Sequence, residues 1–204
     1  ETDLKWFSLD GGISELASYE NVVPGVVGIA VDYMVRFCTG SSVFDSFAIS
    51  RKGALRVGKV DLFNKLASEI VGLDDKSIAN AIKLAGFDAA YRMGPRAYRP
   101  VEEIKPDSQT LENVRIMVKR GCAFLDECGP KILDGLTFEG GYTDIVSNGD
   151  GDFLTPDTLW DFKVSKNPPN SRQTLQLLMY WRMGLHSAHT EYQQVRQLAY
   201  LIRG

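Results

Sequence analysis

Three observations predict an α/β fold. Apolar residues recur at helical spacing through the first two thirds of the chain. After Gly135 the texture changes to short segments rich in β-branched and aromatic residues, separated by Gly, Asn, Pro and Asp. A helix-like stretch opened by polar capping residues then leads to a last strand-like run. The expected order is helix, helical insertion, three strands, helix, strand.

Taken in turn, Val22 to Phe37 (VVPGVVGIAVDYMVRF) has Pro24 near its start and Thr39-Gly40 as a stop, the signature of a buried helix. Leu55 to about Tyr91 reads as two amphipathic helices divided at Gly72-Leu73-Asp74-Asp75, where an Asp can cap the second. A Pro- and Arg-bearing loop, MGPRAYRPVEEIKPD, follows. Ser108 opens a further helix, which runs to about Glu127 and is stopped by Gly129-Pro130. The segments LTFEGGYTDIV, GDFLT and TLWDFKVS are three expected strands. Asn167-Pro168-Pro169-Asn170 makes a rigid loop, Ser171 can cap a helix from Arg172 to about Leu185, and Val195 to Ile202 supplies the last strand. There is no internal repeat or low-complexity tract. The expectation is one domain over 1–204, with 55–128 inserted into a core made of 22–37 and 135–204.

At 204 residues, 44% hydrophobic and 24% charged, the composition is that of a globular protein with a sizeable core. A formal net charge of −3 means that any nucleic-acid contact must come from a local basic patch. Carboxylates that hold a cation weaken that restriction, since they count as negative only until the cation binds. Cys38, Cys122 and Cys128 show no C-x-x-C spacing, which argues against a disulfide framework or a closed zinc or iron–sulfur site and favours a cytoplasmic setting. No apolar run approaches the ~20 residues of a membrane span, and the start ETDLKWF lacks the regions of a secretory signal. The chain opens without Met and stops at Arg203-Gly204 straight after a strand-like run, the pattern of a piece of a longer protein with further domains or partner subunits.

The chemistry concentrates in the second and third expected strands. Alternation puts Asp161 and Lys163 on one face and Trp160, Phe162 and Val164 on the other, which reads as core. If Pro156-Asp157 is a two-residue turn, Thr155 pairs with Thr158, Leu154 with Leu159, Phe153 with Trp160 and Asp152 with Asp161. A longer loop would shift this register by one and spoil the facing. Opposed carboxylates destabilise a sheet, so a bound cation is the expected reason for them. Mg²⁺ (or Mn²⁺) suits two carboxylates, several waters and a substrate phosphate. An ammonium at Lys163 would lie beside the metal, placed to stabilise an attacking hydroxide and the charge of the transition state.

Gly149 to Asp152 (G-x-x-D), Asp161 to Lys163 (D-x-K) and Gln176 to Tyr180 (Q-x-x-x-Y) together resemble the RecB-type branch of the PD-(D/E)XK nuclease superfamily. The resemblance covers Leu136 to Ile202. It implies a restriction-endonuclease-like core, a mixed central sheet flanked by helices. It also implies a metal-dependent nuclease acting on nucleic acid, DNA above RNA, with Asp152 and Asp161 as metal ligands, Lys163 positioning the nucleophilic water, and Gln176 and Tyr180 bordering the site. Relatives often carry a His or an acid on the first helix, and Gly28 to Asp32 offers Asp32 there as a third ligand. The four cluster-binding cysteines of some relatives and a Walker-type loop are absent from this sequence.

Plainer readings stand beside these. A lone Asp-x-Lys is usually a solvated ion pair, and Asp150 shares the strand parity of Asp152. Gln173, Gln176 and Tyr180 fall on one helix face that elsewhere would be an ordinary polar flank. Asp32 could pair with Arg36 one turn on. Glu112 and Glu139 read as surface residues. Tyr91, Arg92, Arg96, Tyr98 and Arg99 interleave aromatics with cations in a way that can meet bases and phosphates, and Lys166 and Arg172 are further candidate nucleic-acid contacts. His186 and His189 read as helix-end residues. The helices between Leu55 and Tyr91 show no basic recognition face, so they read as scaffold. Two rivals to the nuclease remain: a catalytically silent nucleic-acid-binding module of the same fold in a repair or defence complex, and an unrelated α/β protein.

Overall fold

A computed structural model describes residues 16–147, 149, 151–163 and 169–202, with the side chains at 162, 163, 201 and 202 outside the description. The described residues form two compact units, a helical one ending at 122 and a sheet-bearing one beginning at 123. The boundary thus lies at 122/123, and the first helix falls in the helical unit, whereas the sequence grouped 22–37 with 135–204.

In the helical unit, α1 (Pro24–Cys38) starts on the proline expected of it. A short α2 (Val43–Ser46), capped by Ser42, was not anticipated. α3 (Ala48–Arg56) comes next, and the expected pair of helices between Leu55 and Tyr91 is three: α4 (Val60–Ser68), α5 (Asp75–Ala85) and α6 (Asp88–Arg92). Gly58, at φ +68°, separates α3 from α4 in a backbone conformation that a helix cannot contain. Asp74 caps α5 as expected, its carboxylate accepting from Ser77 N at 3.0 Å. α7 (Ser108–Cys128) follows. Ala30, Val31 and Met34 of α1, Phe63 of α4, Ile78 and Ile82 of α5 and Val114 and Val118 of α7 are all fully buried. That i, i+3, i+4 periodicity is why this sequence is helical here.

The sheet has the order β1 (Leu133–Leu136), β2 (Gly151–Leu154), β3 (Thr158–Lys163) and β4 (Gln197–Ile202). The first two neighbours pair antiparallel and the last pair is parallel, so the sheet is mixed. The parallel pair is joined through α8 (Ser171–Leu185), as a parallel connection requires. Its cap is Asn170 in a reciprocal box with Gln173, not Ser171. An Asn side chain reaches the free N–H groups of the first turn as well as Ser does.

The first strand is displaced from its expected place. β1 ends at Leu136, and 137–147 is a loop turning at Gly140 (φ +88°). Its aromatic content serves packing: Phe138 is fully buried against Tyr142, Tyr180 and Tyr192, and Tyr142 OH accepts from Phe138 N and donates to Gly149 O, both at 3.2 Å.

Both sheet faces are covered. Leu154 and Leu159 join Leu177 and Met183 of α8 in one buried cluster. On the other face Phe153 stacks on Trp160, and Phe124 meets Trp160 edge-on at 4.5 Å. The Trp160 side is packed as expected, and the face of Asp161 also begins as core at Leu159. Among the described residues no helix is long and apolar enough to cross a membrane.

Candidate metal and phosphodiester site

The hairpin between β2 and β3 sets the geometry. Thr155 and Thr158 exchange both backbone hydrogen bonds, at 3.0 and 3.4 Å, leaving Pro156-Asp157 as a two-residue turn. The register then pairs Leu154 with Leu159 and Phe153 with Trp160. Trp160 Nε1 donates to Thr155 Oγ1 at 2.8 Å and holds the tryptophan against this turn. The carbonyl of Asp157 accepts from Arg196 N at 2.7 Å and Gln197 N at 3.0 Å. One turn residue thereby also anchors β4, whose Gln197 pairs with Thr158.

Continued one step beyond its last pair, this register would set Asp152 opposite Asp161. Because Thr155–Thr158 is a hydrogen-bonded pair, alternation makes 152–161 the kind of position at which opposed side chains lie closest. Asp161 is 6% exposed and Asp152 is half-buried. Two carboxylates about 5 Å apart repel by roughly 3 kcal/mol at an effective dielectric of about 20. A divalent cation between them would reverse the sign of that contribution.

Along β3, position 163 shares the parity of Asp161, and its backbone pairs with Ile202. The side chain of Lys163 lies outside the description. On β4, Tyr200 is the register partner of Asp161 and packs against the α8-side core. Burial holds its phenol above the ordinary range, and the Asp161 carboxylate adds to the effect. Sequence reasoning missed Tyr200. The only signal was its parity in the last strand, which is uninformative until the parallel register is known.

Helix α8 brings Gln176 and Tyr180 together, Gln176 Nε2 donating to Tyr180 OH at 2.8 Å. The Tyr180 ring stacks on Phe138 at 5.1 Å and lies against Gly149 and Gly151. A Cβ at Gly149 would sit 3.3 Å from Tyr180 Cε1, and one at Gly151 would sit 3.1 Å from Leu136 Cδ1 and 3.5 Å from Tyr180 Cδ2. Glycine at both positions gives the ring its seat beside the start of β2. Tyr180 is thus held next to the segment that delivers Asp152.

The remaining candidates divide. Asp32, in the helical unit, forms an ion pair with Arg36 at 2.9 Å, the plainer of its two readings. Arg92 lies 3.4 Å from the buried Asp88, and Arg99 donates to Tyr98 O at 3.2 Å. Arg96 is exposed in the turn Pro95–Ala97, and Arg172 is exposed at the start of α8. Asp150 and Lys166 lie outside the described residues. Glu112 pairs with Arg115. Glu139 lies 3.3 Å from His189 Nε2, and its carboxyl is held below the usual range, first by the Thr137 hydroxyl. His186 caps the C-terminus of α8.

Among the described residues no group of three or more His, Cys, Asp or Glu gathers as a metal cage. Two carboxylates, were they to meet at one ion, would suit Mg²⁺ or Mn²⁺, which keep several waters, and not a four-ligand zinc site. No protein-family model matches the chain, and no curated protein or solved structure matches it.

Proposed function

We propose that this protein is a metal-dependent phosphodiesterase of the PD-(D/E)XK type that hydrolyses nucleic acid, DNA in the first instance. What supports the reading is the hairpin register, which pairs Leu154 with Leu159 and Phe153 with Trp160 and, continued one step outward, would set Asp152 against the buried Asp161 with position 163 on the same face two residues on.

Asp152 and Asp161 would hold a divalent ion through one carboxylate from each strand. Such an ion, when bound, polarises a phosphoryl oxygen and acidifies water. The Lys163 ammonium orients the attacking water and offsets the negative charge that builds on the phosphoryl oxygens. Gln176 and Tyr180, linked to each other, position the substrate strand or Lys163 at the rim of the site. Leu154, Leu159 and Leu177 form the dry floor beneath, where charge interactions are stronger than in water.

The test is cleavage of labelled single- and double-stranded DNA and RNA in Mg²⁺ or Mn²⁺, run beside Asp161→Ala and Lys163→Ala. The wild type should cut and both variants should not. Calorimetry should show the divalent ion still binding to Lys163→Ala and lost from Asp161→Ala. Cleavage that survives both substitutions would remove these residues from the chemistry.

A further inference from the structure

The helical unit carries a concentration of positive charge that the net charge conceals. Residues 47–60 and 87–99 hold seven of the 23 Lys and Arg and one of the 26 Asp and Glu. The one acid, Asp88, is 1% exposed, so it presents no negative surface. These two segments are neighbours in space because α3 packs closely on the α5–α6 junction. A Cβ at Gly53 would lie 2.0 Å from Phe87 O, so only glycine permits the approach.

α3 buries Ser50, Gly53 and Ala54 and exposes Arg51, Lys52, Leu55 and Arg56. Lys52 and Arg56, one turn apart, both lie over the Tyr91 ring of α6, at 5.6 and 4.6 Å from its centre. Arg56 also donates to Tyr91 O at 2.7 Å. The ring and carbonyl of Tyr91 therefore fix two cations from a neighbouring helix at the seam. Arg92 and Arg96 continue the exposed series along α6 and the turn after it. Lys59 belongs elsewhere, at 3.8 Å from Glu102.

We infer that the α3–α6 face, centred on Lys52, Arg56 and Tyr91 with Arg51 and Arg96 at its rim, docks the phosphate backbone of a nucleic acid. Preordered cations lose less side-chain entropy on meeting phosphates than free ones do. Five cations on this face, Arg51, Lys52, Arg56, Arg92 and Arg96, also supply the counterion-release driving force that such binding uses. The nuclease reading enters only in the choice of nucleic acid as the occupant. The docking itself needs neither Asp152 nor Asp161.

Binding is measured by fluorescence anisotropy of labelled single- and double-stranded oligonucleotides in EDTA, so that a metal-dependent cut cannot interfere. Arg51→Glu/Arg96→Glu, two exposed positions outside the Tyr91 cluster, should weaken binding tenfold or more. The same pair should also flatten the dependence of log K on log salt between about 50 and 200 mM. Lys52→Ala/Arg56→Ala should act in the same direction, with circular dichroism reporting whether α3 is intact. Lys65→Glu/Lys119→Glu, an equal charge change at exposed positions elsewhere on the unit, should leave affinity within about twofold. An equal loss in that control pair would overturn the surface. Tight binding to phosphatidylserine vesicles with the same variant sensitivity, and none to oligonucleotide, would overturn the choice of occupant. Loss of cleavage with binding retained would separate failure of the catalytic reading from failure of this one.

Discussion

Each unit buries an aspartate, and the two are treated differently. Asp88 in the helical unit receives Ser50 Oγ at 2.6 Å, Tyr33 OH at 2.7 Å and Arg92 Nε at 3.4 Å. Its surroundings are donors supplied from α1, α3 and its own helix. Asp161 in the sheet unit is the register partner of Tyr200 on β4, and the hairpin register, continued one step past Phe153 and Trp160, would set Asp152 against it. A buried acid ringed by donors ties helices together. A buried acid set against a like charge at the mouth of a hairpin is an arrangement that a cation stabilises.

Removing each acid in turn shows what it holds together. Asp161→Ala should reduce metal-dependent cleavage on the order of 10³-fold while raising thermal stability in EDTA or leaving it unchanged, since a repulsion has gone. A large stability loss in EDTA with cleavage intact would make Asp161 structural, like Asp88. Asp88→Ala should do the reverse, costing about 3–5 kcal/mol in denaturant unfolding because Arg92, Tyr33 and Ser50 lose a shared buried partner.

Acidity sharpens this contrast. Burial, the largest cause, holds the Asp88 carboxyl above its usual range despite its donors. A carboxyl raised on folding binds its proton more tightly in the native state. Its contribution therefore declines as pH rises from the ordinary carboxylate value through the raised one. Asp88→Asn should flatten that fall in a stability-versus-pH series, and an unchanged slope would assign it to other groups.

Smaller effects are expected on α8. Asn170→Ala removes one arm of the capping box and should cost about 1 kcal/mol, read from the unfolding midpoint. Gln176→Ala deletes the hydrogen bond to Tyr180 at an exposed position and should cost under about 1 kcal/mol. If Gln176 and Tyr180 position substrate, the same substitution should raise KM more than it lowers kcat.

Local signals made some elements legible and left others hidden. Pro24 starts α1, Asp74 caps α5, and a two-residue turn at Pro156-Asp157 pairs Leu154 with Leu159, each as local pattern predicts. The first strand was placed too late because Phe138 and Tyr142, strand-like by type, are loop aromatics filling the core under α8. Pattern cannot distinguish an aromatic buried from a strand from one buried from a loop. Of the basic α3–α6 face, Tyr91, Arg92 and Arg96 were legible as one segment, whereas Arg51, Lys52 and Arg56 lie some forty residues earlier and join them only through packing.

By itself the sequence determined the α/β class, the succession of strands, helix and strand in the sheet unit and the pairing of Leu154 with Leu159, since each follows from alternation and short turns. Tertiary structure alone decided that Tyr200 stands beside Asp161, that Tyr180 is seated over Gly149 and Gly151, and that Asp88 collects donors from separate helices. Those contacts join residues far apart along the chain, and no local preference of φ, ψ or polarity encodes which distant surfaces meet.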